Sequence, residues 1–445
     1  MKPSKTNHRQ GRLFETRLND QLNPKHELLK LAEEINWDYL EEKCSSIFID
    51  KGKGGQPPKP IRLMLGLLML EHIHSYSDEE VVAKWVENPY WQSFCGYDFL
   101  QWEMPIDPTS LTRWRQRLGK DLLEKVLQET IKVALQTKTV KKQSLKKVIS
   151  DTTVMEKNIA FPIDGKLFDT ARKHLVKIAD KAGITLRQNY NLVSKKHLRK
   201  MGQYGHAKQY KRMKKEVKKM KIYLQRIVRD IQRKWQGKEK MFDQIMPLVE
   251  RLVKQEKKSK EKLYSLYHPE VKCISKGKAH KKYEFGCKAA LVITHKEGLC
   301  MSMEALHGNP YDGHTINQAI DNAEKITQTI IDQVFLDKGY KGAKIEGKEL
   351  YRSGQRKGLT KSLKKALKRR QAIEPHIGHM KSDGKLGRNY LKGKAGDRNN
   401  AVLVGIGHNL RMILRKLRLL FVQIIDLYQN FYNTKTSITL LIMKY

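Results

Sequence analysis

The chain has 445 residues, with 88 Lys plus Arg against 47 Asp plus Glu and a formal net charge of +41. That length supports two or three domains rather than one. Self-repulsion on this scale points to a polyanionic partner, nucleic acid first, with a solvated basic surface or a ribosome-associated protein as the plainer alternatives. Cys44, Cys95, Cys273, Cys287 and Cys300 are scattered, without the paired spacing of zinc sites or disulfide frameworks, which fits a reducing cytoplasm. The N-terminus is polar and basic, and no run approaches ~18 uninterrupted apolar residues, so neither a secretory signal nor a membrane partner is expected.

Five of the six tryptophans, Trp37, Trp85, Trp91, Trp102 and Trp114, precede residue 120, which suggests a separate small N-terminal domain. A Gly/Pro-rich stretch from Gly52 to Pro60 leads into an apolar helix from Ile61 to about Ile73, and Ser77 and Asp78 are placed to cap the next helix. A third helix should begin near Thr109 and Ser110. It carries Arg113, Arg115 and Arg117 around Trp114, which resembles a DNA-reading helix or equally an ordinary bundle helix coated with arginine.

Between about Gly165 and His268 the pattern is helical and very basic, and residues 195–262 hold 24 Lys plus Arg against 7 Asp plus Glu. Met213, Val217, Met220, Leu224, Ile227 and Ile231 form a heptad seam, so a helical hairpin or coiled coil is expected, with an outer face able to track phosphates. From Tyr283 the period changes to two. Phe285, Cys287, Ala289, Leu291 and Ile293 share one strand face, Leu299, Met301, Met303 and Ala305 the next, and His295 to Gly298 form the turn of a β-hairpin. Asn317 to Ile331 then reads as a helix, Val334 to Leu336 as a short buried strand, and Lys361 onward as helix. The apolar stretch Leu417–Tyr432, interrupted by Arg418, Gln423, Asp426 and Gln429, reads as a packed helix rather than a membrane span.

Three acids occupy places suited to an α/β nuclease core. Asp151 closes the expected strand from Lys147, Asp337 ends the strand from Val334, and Glu374 lies in a helical stretch. Cutting a phosphodiester without a protein nucleophile calls for two divalent metals, and hard Mg²⁺ prefers a few carboxylate oxygens with water and phosphate. Singly, each acid could be a turn former or an ion-paired surface residue. Arg370 lies four residues before Glu374 and Lys381 seven after, offsets that put all three near one helix face. Asp164 rivals Asp151 but better fits an N-cap for a helix beginning near Lys166. His376 and His379 have no accompanying Cys or third ligand and read as packing residues or supports of the site.

Asp337-Lys338-Gly339-Tyr340, with Arg370, Glu374 and Lys381 at those offsets, resembles the signature of the transposases of the insertion-sequence family 5 group. Further matches are Asp151-Thr152-Thr153, Ala279-His280-Lys281 to Phe285-Gly286, Gly308 to His314, Ile373 to His379 and Leu386 to Gly393, spread from about residue 40 to 420. Leu367 stands where that signature usually has a Tyr, so a hydroxyl contact to DNA is not expected there.

The resemblance implies a ribonuclease-H-like sheet in an α/β (α+β) chain, metal binding by Asp151, Asp337 and Glu374, and contacts from Arg370 and Lys381 to DNA phosphates. It implies two Mg²⁺ ions, with Mn²⁺ able to substitute, and double-stranded DNA as partner, both the element's terminal repeats and the target. It further implies strand cleavage followed by strand transfer, a homodimer or higher assembly, and a prokaryotic cytoplasmic, nucleoid-associated setting. The expected domains are an N-terminal helical DNA-binding domain over 1–135, a catalytic domain over 145–395 with a helical insertion at about 165–272, and C-terminal helices over 396–445. Only 36 residues separate Asp337 from Glu374, so the insertion must follow the first core strand. A DNA-binding regulator without chemistry, or a nuclease without strand transfer, are the rival readings.

Overall fold

A computed structural model describes residues 15–48, 58–235, 240–256, 259–275, 281–355 and 357–442, without side chains at 240–241 or beyond Leu419. Most of the Gly52–Pro60 stretch, the Ala279-His280 pair and the side chains of the Leu417–Tyr432 stretch past Leu419 lie outside the described residues. The fold is mixed α/β. Its strands are β1 (Lys147–Glu156), β2 (Lys272–Ile274), β3 (Glu284–Thr294), β4 (Cys300–Leu306), β5 (Gln333–Leu336) and β6 (Glu349–Arg352). The chain divides into two compact units, one of residues up to Met155 and from Lys288 on, the other Glu156–Cys287.

In the first unit the strand order is β3-β1-β5-β6, with β4 paired to β3. β3 and β4 are antiparallel, Leu291 facing Met303, as the period-2 pattern requires. β1, β5 and β6 are mutually parallel, Ile149 facing Phe335 and Phe335 facing Tyr351. An antiparallel hairpin continued by parallel strands suits the ribonuclease-H resemblance. The helix Asp312–Thr327 supplies the crossover between β4 and β5, five residues earlier at its start than the periodicity alone suggests. β6 was not expected: ELYR is short and largely half-exposed, so it carries no alternation to read.

The N-terminal helices do not form a core of their own. Leu40, Leu67, Trp85, Phe94 and Trp114 share one hydrophobic cluster with Val148 of β1, Val292 of β3, Leu336 of β5 and Leu403 of the last helix. The expected domain at 1–135 is therefore part of the sheet-bearing unit. Within it, the helix Ile61–His74 is mostly apolar and buried nearly throughout, as a central helix must be, with Glu71 as a buried acid. Ser77 caps the helix Asp78–Glu87 through a complete capping box with Glu80. The helix Thr109–Gln136 breaks at Gly119, whose φ of 64° is open to glycine at no steric cost.

The helix Gly393–Ile442 is single where several C-terminal helices were expected, and its first half packs inward through Val402, Leu403, Ile406, Leu410 and Ile413. Asn409 fastens it to β4: its Oδ1 accepts from Cys300 N–H and its Nδ2 donates to Cys300 C=O. Among the described residues, no helix is long and apolar enough to cross a membrane.

The second unit contains the helices Asp164–Lys181, Asn191–His206, Tyr210–Lys234 and Lys240–Lys254. The seam residues Met220, Leu224, Ile227 and Ile231 are buried against Leu167, Ala171, Leu175 and Phe242 in this unit's own core. The seam is thus closed within the unit rather than left for a coiled-coil partner. Asp164 is the first helical residue, and Ile163 is the N-cap without any side-chain cap bond, so the cap expected of Asp164 is not made. β2 pairs antiparallel with the start of β3, Cys273 facing Phe285.

Candidate active site

β1 runs on to Glu156, so Asp151 stands inside the strand rather than at its end. The parallel register explains its position. Ile149 faces Phe335; Asp151 follows two residues on within β1, and Asp337 two residues on, just past the end of β5. The first carboxylate is oriented by its neighbour: Thr152 N–H donates to Asp151 Oδ1 at 2.7 Å. The second sits where β5 gives way to the 3₁₀ turn Lys338–Tyr340.

Tyr340 from that turn is buried, and burial, followed by the negative Asp151, pushes its phenol well above the ordinary tyrosine range. It stays a neutral hydroxyl.

Glu374 arrives from a separate element. Thr360 caps the helix Lys361–Arg369 through Leu363 N–H, a 3₁₀ turn spans Arg370–Ala372, and the helix Ile373–Ser382 follows. This segment is tied to the hairpin turn between β3 and β4. His295 Nε2 donates to Ala366 C=O at 2.8 Å, and Arg369 Nε donates to His295 C=O at 3.2 Å. Burial lowers the His295 pKa, which keeps the ring neutral.

Gly298, at φ +81°, closes the turn against His376. A Cβ there would lie 2.0 Å from His376 Nε2. His408 Nε2 donates to Gly298 C=O at 2.9 Å, and its ring meets that of His376 edge to face. His376 is therefore a packing residue that sets the seat of the Glu374 helix. His379 is exposed and bonds Asp383.

The Arg370 guanidinium joins the three acids. It lies 3.7 Å from Asp151 Oδ2, 3.6 Å from Asp337 Oδ1 and 3.4 Å from Glu374 Oε1. Its side chain is 7% exposed, whereas those of Asp151, Asp337 and Glu374 are 22%, 48% and 66% exposed. Residues far apart in sequence thus converge on one cation, with the carboxylates on its open side. Arg370 was expected near one helix face with Glu374 and Lys381; its contact with Glu374 is made, and the 3₁₀ turn that carries it leaves it buried. Lys381, two turns beyond Glu374 on the same helix, is half-exposed.

Of the three arginines expected to read DNA, Arg113 and Arg117 are exposed. Arg115 is not. It is buried and donates to Glu71 at 2.9 Å and to Asp78, while Lys385 pairs with the other Glu71 oxygen. Arg115 therefore holds helices together, and its side chain is not placed to contact DNA. No sequence signal marked Glu71 as its partner 44 residues away.

Residues 16–117 match the family described as Transposase domain (DUF772), and residues 254–410 match the family described as Transposase DDE domain. The second stretch includes Asp337, Arg370, Glu374 and Lys381, while Asp151 lies outside both. Over 210 residues the chain is 43% identical to the uncharacterized protein ORF8 in the nfe locus of Rhizobium meliloti, an overlap that spans 47% of this chain and 100% of that protein. No solved structure matches.

Proposed function

From a chain that belongs to the DDE transposases, we propose an enzyme of the insertion-sequence family 5 type that binds the ends of a mobile DNA element, cuts them and joins the freed 3′-hydroxyl to target DNA. The observation that carries this reading is the gathering of Asp151, Asp337 and Glu374 around one guanidinium. The family uses divalent metal ions. The donors here fit such ions: all are hard carboxylate oxygens, clustered where a positive group already sits. Asp151, Asp337 and Glu374 would hold them, two Mg²⁺ by preference. When bound, the ions would ready the attacking oxygen and stabilise the leaving one.

The remaining work falls to this chain's own residues. The paired register of β1 and β5 holds two carboxylates rigidly, and the anchored helix brings the third without fixing it tightly, since Glu374 is the most exposed of the three. Lys381 stands on the same short segment as Glu374 and is assigned here to a phosphate beside the cut, whereas Arg370, buried and turned toward the three acids, is not. Arg113 and Arg117 remain available for the element ends, and the basic helices of the second unit supply charge attraction for duplex DNA of any sequence. Two ends held together call for at least a homodimer in the working complex.

The test is a cleavage and strand-transfer assay on a plasmid carrying the element ends. Asp151→Asn, Asp337→Asn and Glu374→Gln should each abolish both reactions while leaving DNA binding nearly intact, because each removes one negative charge and little volume. Asp164→Asn should cut normally. A dead Asp164→Asn beside an active Asp151→Asn would overturn the assignment. Cutting without joining would select the nuclease reading.

A further inference from the structure

We infer that Arg370 is a built-in countercation. It holds Asp151, Asp337 and Glu374 together when no divalent ion is bound, and it competes with such ions for the same oxygens. The inference rests on the reading of these acids as metal ligands.

Three carboxylates brought to one place repel one another, and without a positive group they would either take up protons or spread apart. One guanidinium supplies that charge to all three. Nη1 faces Asp151, and Nη2 faces both Asp337 and Glu374. The planar fork suits this task better than an ammonium, since its two terminal nitrogens diverge.

The distances, 3.4 to 3.7 Å, are longer than the ~2.7–2.9 Å of a tight charge-assisted hydrogen bond. The guanidinium therefore neutralises the acids without locking them. The burial gradient points the same way, since the cation lies beneath and the carboxylates face solvent, the side from which an ion enters. Arg370 Nε is buried with no hydrogen-bond partner, so that atom offers no competing anchor. Arg369, by contrast, spends its donors on the backbone of the hairpin turn. Adjacent arginines thus divide the labour: Arg369 positions the segment, and Arg370 serves the acids.

The sign of one effect separates this role from its rivals. A countercation in competition with metal must weaken metal binding, so removing its charge strengthens binding. A residue needed only to hold the site's shape would weaken binding when lost. A residue that contacts only DNA phosphate would leave binding unchanged while DNA is absent.

The experiment is a Mn²⁺ titration of the full-length chain without DNA, followed by calorimetry and by the electron paramagnetic resonance signal of free Mn²⁺. Arg370→Met should bind Mn²⁺ at least about tenfold more tightly than wild type, and Arg370→Lys, which keeps the charge, should stay within about threefold of it. Unchanged or weaker binding by Arg370→Met overturns the proposal. Should Arg370→Met not fold, Arg370→Gln, equally uncharged and still a donor, decides by the same criterion. Asp337→Asn is run alongside and should bind Mn²⁺ much more weakly. If it binds as wild type does, the reading of the acids as ligands fails instead, and the two failures are told apart.

Discussion

Arg115→Met tests whether this arginine belongs to the fold or to DNA. The wild-type guanidinium donates from Nη1 to Glu71 Oε2 at 2.9 Å and to Asp78 Oδ1 at 2.8 Å, and Nη2 reaches the second Asp78 oxygen. Methionine fills most of the volume but carries no charge. Glu71 keeps Lys385 as a partner, so the loss falls mainly on Asp78, which keeps Thr112 Oγ1 at 3.3 Å. Breaking a buried pair by removing one side costs about 3 to 5 kcal/mol. The retained Lys385 and the partial exposure of Asp78 put the expectation near the lower end, about 3 kcal/mol. Urea unfolding followed by tryptophan fluorescence should report it, since Trp85 and Trp114 lie in the same core. Arg113→Ala and Arg117→Ala should stay within about 0.5 kcal/mol of wild type and weaken DNA binding instead. If Arg115→Met unfolds like wild type and selectively loses DNA affinity, the structural assignment of Arg115 is wrong.

His408 is fully buried, and burial depresses its pKa to about 3, so the folded chain keeps it neutral while the unfolded chain protonates near 6.5. Its contribution to stability is therefore complete above about pH 6.5 and is lost as pH falls toward 3; melting temperatures between pH 6.5 and 4 should fall less steeply in His408→Gln. Gly298→Ala places a methyl group on His376 at a left-handed backbone position and should lower stability by about 1 to 3 kcal/mol, with cleavage falling because the Glu374 helix shifts. An alanine variant as stable and as active as wild type would show that this turn does not seat the helix.

Local chemistry was legible where it acts within a few residues. The cap at Ser77, the hairpin turn at His295–Gly298 and the seam ending at Ile231 each depend on a short-range rule that the structure obeys. What failed was the allocation of faces. Trp114 and Arg115 are neighbours on one helix and both are buried, because Glu71 and Asp78 lie across from the arginine. Nothing in a run of alternating arginines distinguishes one that meets an acid from two that meet water. The helices of the tryptophan-rich N-terminal region share their hydrophobic cluster with β1, β3 and the helix from Gly393, a sharing that aromatic density along the chain does not reveal.

The site shows the same division more sharply. Spacing along one helix suggested that Arg370, Glu374 and Lys381 share a stripe, and the i,i+4 contact between Arg370 and Glu374 is indeed made. Yet that contact is one of three, and the other two depend on strand register: Asp151 and Asp337 face the same way only because Ile149 pairs with Phe335 in a parallel ladder. A one-residue slip of that ladder would leave one carboxylate on the opposite face of the sheet and the cluster around Arg370 incomplete. The cation at the centre of the acids is thus set by pairing between strands about 190 positions apart and by a turn of three residues, neither of which leaves a periodic trace. This is also why the role of Arg370 could not be read from its neighbours in sequence: an arginine that serves phosphate and one that serves carboxylates have the same spacing to Glu374, and they differ only in what the opposite strands bring to meet them.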